Sequence, residues 1–251
     1  MKIYTFFFIA ITFFARGNLS AQNSAGWKFK DSNAADTTVV HINSTYLLLG
    51  TLNDYAGRKW GAKQGLFDRY YPYEKPLMKF VDSLAKRDFK VSLTEKDGCY
   101  FNDTLSEKMN SFYKGSDLID SLLYINKQNT LSFLLGVYYR SGSKISNEIY
   151  KIQLTNSPKH RECYEILKQL GCDDIYFKRL NNIPTIYIIY FKATLPIIKY
   201  FDTIEREKEK LAGSFLASSR KNISMADYKK QLEEYYNDEY RMIKGLFGSK
   251  K

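Results

Sequence analysis

The stretch TLSFLLGVYYR, residues 130–140, is apolar on both alternation classes. Leu131, Phe133, Leu135 and Val137 fall in one class, and Leu134 and Tyr138 in the other. Such a segment has no side to turn to water, so the rest of the chain must wrap it. At a period of two it predicts a central strand covered on both faces. SGS at 141–143 then turns the chain into a return strand near 145–154.

Other strands are expected around this centre. Phe89, Val91 and Leu93 alternate with polar partners over 88–94, and EKDG at 95–98 turns into CYF at 99–101. VVHI at 39–42 reads as a short strand. IYFKRL–NN–IPTIYIIYFKA, residues 175–193, reads as a long hairpin, because asparagine tolerates the positive φ that tight turns require.

Helical spacing is expected over 44–56, 75–87, 103–113, 117–127 and 158–170. A helix capped by Thr194 with Pro196 in its first turn begins the C-terminal portion. Ser224 and Asp227 resemble a capping box before a last helix, with Tyr228, Leu232, Tyr235 and Met242 marking its face. These elements predict an α+β fold: an antiparallel sheet of about four to six strands, flanked by helices, with two long C-terminal helices. No internal repeat is visible.

The N-terminus bears on location. A basic start, the apolar run FFFIAITFFA at 6–15 and a small-residue exit form the three parts of a secretory signal. The run is too short to span a bilayer, which takes roughly 20 residues. The expected organisation is a signal peptide at 1–21, a flexible lead-in at 22–36 and a single α+β domain over 37–251, with its helical portion at 194–247. The chain is then expected in the periplasm or secreted medium, with no transmembrane segment after cleavage.

The chain is basic, with net charge +11. Its lysines and arginines are scattered, and runs such as EREKEK at 205–210 mix both signs on one helix face. Nucleic acid is therefore not expected as the partner. Another envelope protein or an anionic glycan is.

Chemistry is most concentrated in SPKHRECYEILKQLGC, residues 157–172. His160-Arg161-Glu162 matches half of a zinc-deaminase signature, but the P-C-x-x-C half is missing. Cys163 and Cys172 are held about 13 Å apart by an intervening helix, beyond the roughly 7 Å a disulfide allows. A bridge would have to use Cys99, with Cys99–Cys172 the favoured pair; three unpaired, partly buried thiols are the alternative. The chain lacks G-x-S-x-G, H-E-x-x-H, C-x-x-C, phosphate-loop and EF-hand patterns. No metal site or cofactor is expected.

The segment 55–73 interleaves rings with basic groups and is the expected binding surface. Its candidate residues are Tyr55, Arg58, Trp60, Arg69, Tyr70 and Tyr71. Asp54, Asp68 and Glu74 beside it read as solvated loop acids, and are also the carboxylates a glycan hydrolase would use. Sequence alone thus favours a non-catalytic exported binding or envelope-assembly protein. A secreted carboxylate-dependent hydrolase of glycan or another polymer is the alternative.

Overall fold

The computed structural model describes residues 40–57, 64–115, 117–119, 126–218 and 224–247. The expected signal peptide and lead-in, and Arg58 and Trp60, lie outside these residues. The helices are α1 (Ser44–Thr51), α2 (Asp54–Gly57), α3 (Lys75–Leu84), α4 (Asp103–Asn110), α5 (Lys127–Ser141), α6 (Lys159–Gln169), α7 (Leu195–Asp202), α8 (Glu205–Ser218) and α9 (Met225–Phe247). The strands are β1 (Leu66–Arg69), β2 (Thr94–Lys96), β3 (Cys99–Phe101), β4 (Tyr113–Lys114), β5 (Asp117–Leu118), β6 (Gly142–Lys144), β7 (Ile149–Thr155), β8 (Ile175–Leu180) and β9 (Ile186–Lys192). The chain is α+β, with antiparallel sheets ordered β1-β3-β2, β4-β5 and β6-β7-β9-β8 among the described residues.

At the centre, residues 130–140 form a helix and not the expected strand. Every residue from Asn129 to Tyr139 of α5 is buried, so the helix is apolar all round because it has no wet side. An unbroken apolar run fits both periods equally, and only its surroundings decide between them. Asn126 fixes the start by accepting from the backbone N–H of Gln128 at 2.9 Å.

Helix α1 lies beside α5 and is buried over Tyr46–Thr51. The two run parallel. The Asn43 amide at the start of α1 donates to Asn129 at the start of α5 at 2.9 Å, and Arg140 at the end of α5 donates to the Thr51 carbonyl at 2.8 Å. They touch through Gly50 and Gly136. A Cβ on Gly50 would meet the Phe133 carbonyl oxygen at 2.2 Å, and one on Gly136 the Leu47 carbonyl oxygen at 2.1 Å.

The element order contains a repeat that the letters conceal. After α1 and the short α2 come strand β1, helix α3, hairpin β2–β3 and helix α4; after α5 come β7, α6, β8–β9 and α7, with β6 added before β7. The sheet orders agree, β1-β3-β2 against β7-β9-β8. Both strand-to-helix junctions carry a proline, Tyr71-Pro72 and Ser157-Pro158. Burial needs only apolar character at matched places, so two halves can share a plan without sharing letters.

One face of the four-stranded sheet packs into the main core through Tyr150, Ile152, Leu154, Ile189 and Phe191. The other face carries a separate cluster of Ile145, Ile149, Ile188 and Tyr190, closed by Ile243 of α9.

Several local expectations are corrected. Residues 40–42 hold no strand; Val91 and Leu93 lie outside regular structure, with β2 beginning at Thr94. Asp117–Leu118 is a strand where a helix was expected. On α9 the packing stripe is Tyr236, Tyr240, Ile243 and Phe247, whereas Tyr235 and Met242 of the expected face are exposed. Cys99, Cys163 and Cys172 are free, buried thiols, so the Cys99–Cys172 bridge is not part of the structure. Cys163 and Cys172 belong to the main core, while Cys99 sits in the three-stranded sheet with the Arg69 guanidinium 3.4 Å from its sulfur.

Candidate functional site

Two parallel helices that stop together leave their last carbonyls at one point, where both helix dipoles are negative. Buried cations satisfy them. Lys159, at the start of α6, donates to the carbonyls of Gly50 at 3.1 Å and Leu52 at 2.7 Å. Lys208 of α8 does the same for α5, donating to Tyr138 at 3.0 Å and Gly142 at 2.8 Å. Burial lowers the pKa of Lys208 to about 8, against the opposing pull of Glu205.

Arg140 ties the two halves. Its guanidinium holds both oxygens of Glu74 at 2.8 and 2.6 Å, Asp68 at 2.7 Å and the Arg69 carbonyl at 2.8 Å. Its own pKa is raised: burial works to lower it, but the carboxylates of Asp68 and Glu74 outweigh that. Asp54 accepts from the hydroxyls of Tyr113 and Ser157 and lies 3.6 Å from Lys159. Asp68 also accepts from the Asn53 amide at 2.9 Å, and Glu74 from the Tyr71 amide at 2.8 Å.

The acids expected as solvated loop residues are thus among the most buried polar groups, with Asp68 at 0 % exposure. Their oxygens are engaged by cations, hydroxyls and amides of the chain itself. Among the described residues, no group of three or more His, Cys, Asp or Glu side chains is placed to hold a metal ion.

Above this buried layer opens a cleft of about 480 Å³. One wall is aromatic: Tyr71 stacks on Tyr73 at 5.7 Å, and Tyr73 meets Phe215 of α8 edge-on at 5.2 Å. The facing wall is the edge of the four-stranded sheet, with Ser143, Lys151 and Gln153.

The expected binding residues divide. Tyr55 and Tyr71 line the cleft. Tyr70 turns inward under Arg140, 5.0 Å from its ring, and Arg69 points its side chain to Cys99. Sequence reading missed Arg140 and Lys159. Each does stand out as a charge bordering an apolar or capped segment, Arg140 ending the apolar run and Lys159 following Ser157-Pro158. In that second stretch His160 stacks flat on Tyr187 at 3.7 Å, and its Nδ1 meets the Ser157 carbonyl at 2.7 Å. Burial holds the Cys163 thiol pKa well above its ordinary range.

No protein family and no curated protein matches the sequence. Among solved structures, the chain is similar to I-DmoI in complex with DNA and Mn, at 13 % identity and TM-score 0.40, over 64 % of this chain and 94 % of that one. It is similar to mesophilic variants of the homing endonuclease I-DmoI at 17 % identity and TM-score 0.39, over 64 % and 94 %. Full-length DUF199/WhiA from Thermatoga maritima matches at 14 % identity and TM-score 0.39, over 79 % and 69 %.

The envelope and glycan-acting expectations find no counterpart among these neighbours, two of which are forms of a homing endonuclease, one of them in complex with DNA. The exported envelope-assembly protein and the secreted glycan hydrolase are withdrawn. So are the periplasmic or secreted location, the envelope-protein or glycan partner, and the exclusion of nucleic acid.

Proposed function

We propose that the chain binds nucleic acid and takes a strand through the cleft above the paired helix ends. The observation that carries this reading is the cleft's pairing of an aromatic wall, Tyr71, Tyr73 and Phe215, with a polar wall of Ser143, Lys151 and Gln153. Rings of this kind stack bases with little regard to sequence, while hydroxyl, amide and ammonium groups hold phosphate and sugar. A net charge of +11 supports attraction of a polyanion over distance. Asp54, Asp68 and Glu74 serve the architecture in this reading, because their oxygens are already committed to Arg140, Lys159 and neighbouring donors.

Fluorescence anisotropy with labelled single- and double-stranded oligonucleotides of about 20 nucleotides tests the proposal. Binding is expected, with affinity falling steeply between about 50 and about 200 mM salt as counterions are released. Absence of salt-dependent binding to either form would sink it.

A further inference from the structure

Lys151 is the cation of the polar wall, and a carboxylate of the chain itself occupies it. Glu239 of α9 accepts from its Nζ at 2.9 and 3.0 Å and also from the hydroxyl of Tyr190. The pair is nearly dry, with 8 % and 11 % of the two side chains exposed. The rings of Tyr235 and Tyr236 on α9 each lie 5.5 Å from the same ammonium. Lys151 and Tyr190 are register partners on β7 and β9, and Ser143 on β6 is the partner of Lys151 on its other side. Side chains of paired residues point to one face of a sheet. Ser143, Lys151 and Tyr190 therefore form a row of two hydroxyls around one ammonium, which is a donor set for a tetrahedral anion.

We propose that this row is a phosphate subsite of the strand-binding cleft, and that α9 closes it in this conformation by presenting Glu239 in the phosphate's place. The inference rests on the nucleic-acid reading above and adds to it a place for one phosphate and a means of control. Two features make α9 displaceable. Its anchor on the sheet is the small cluster separate from the main core, and Ile243 is its one fully buried side chain among those described. A buried ion pair also returns little net stability, since the desolvation of both charges offsets their attraction. A phosphate diester brings the same charge as Glu239 together with the neighbouring contacts of a whole strand.

The test compares the full-length wild type with Glu239→Gln, which keeps the side chain's size and removes its charge. Lys151→Gln/Glu239→Gln serves as the control. Glu239→Gln should bind a single-stranded oligonucleotide about tenfold more tightly and steepen its salt dependence by about one phosphate contact. The double variant should lose the gain. In the wild type, saturating oligonucleotide should reduce hydrogen-exchange protection of α9 amides. Should the wild type bind while Glu239→Gln and α9 protection stay unchanged, the subsite is wrong and the function stands. Failure of every variant to bind would overturn the function, and the subsite with it.

Discussion

Gly50 and Gly136 sit back to back where the two central helices cross: a Cβ on either would come within 2.9 Å of the other's Cα. The obstructing atoms are backbone, so no rotamer change can relieve the contact. Gly136→Ala is therefore expected to destabilise the fold by at least the ~1–3 kcal/mol typical of overpacking, despite alanine's better helix propensity. A denaturation midpoint equal to or above that of the wild type would refute the close approach.

Lys159 is 1 % exposed and holds two α1 carbonyls and Asp54. Replacing it with methionine leaves a buried carboxylate and helix-end carbonyls without their cation, at a cost of about 3–5 kcal/mol. Asp54→Asn in the same chain should return part of that loss, since it removes the uncompensated charge. A double-mutant cycle by chemical denaturation reads the coupling, and simple additivity would contradict the arrangement.

The lowered pKa of Lys208 gives stability a definite pH dependence. Below about 8 the ammonium is charged in both folded and unfolded chains, and its burial costs the fold in full. Between about 8 and the ordinary lysine value the unfolded chain binds the extra proton, so stability rises with pH. The full span corresponds to a term on the order of 3 kcal/mol. The stability of the wild type relative to Lys208→Met should therefore grow between about pH 7.5 and 9.5; a flat difference would show that the lysine is not desolvated.

On the aromatic wall, Tyr73→Ala should weaken binding of a single strand by ~1–3 kcal/mol, the worth of one stacked base. It should leave the salt slope unchanged, because no phosphate contact is removed. Anisotropy titrations at several salt concentrations separate the two effects.

The three thiols offer a check on the core. Burial holds the Cys163 pKa far up and that of Cys172 at about 11, and Cys99 is buried in its sheet. None should react with a thiol reagent at pH 8 until the chain unfolds, and all three should then react. Reaction of only one thiol after unfolding without reductant would indicate a disulfide.

The sequence determined much that depends on local chemistry. The strands at 175–180 and 186–192, the helix near 158–170 and the start of the last helix follow from caps and periodicity, which act within a few positions, whereas the turn between the strands does not use the positive φ expected of its asparagines. It also determined that residues 130–140 lie at the centre of the fold, because a segment with no polar side must be surrounded. Tertiary structure alone decided that this segment is a helix, since an unbroken apolar run satisfies both periods and its packing against Gly50 selects one. The site was equally non-local. Asp54, Asp68 and Glu74 look solvated beside their sequence neighbours, and they become buried anchors through a lysine and an arginine 66 or more positions away, as between Glu74 and Arg140. Charges find their partners across space, after the chain has folded, and so leave no trace in residue spacing.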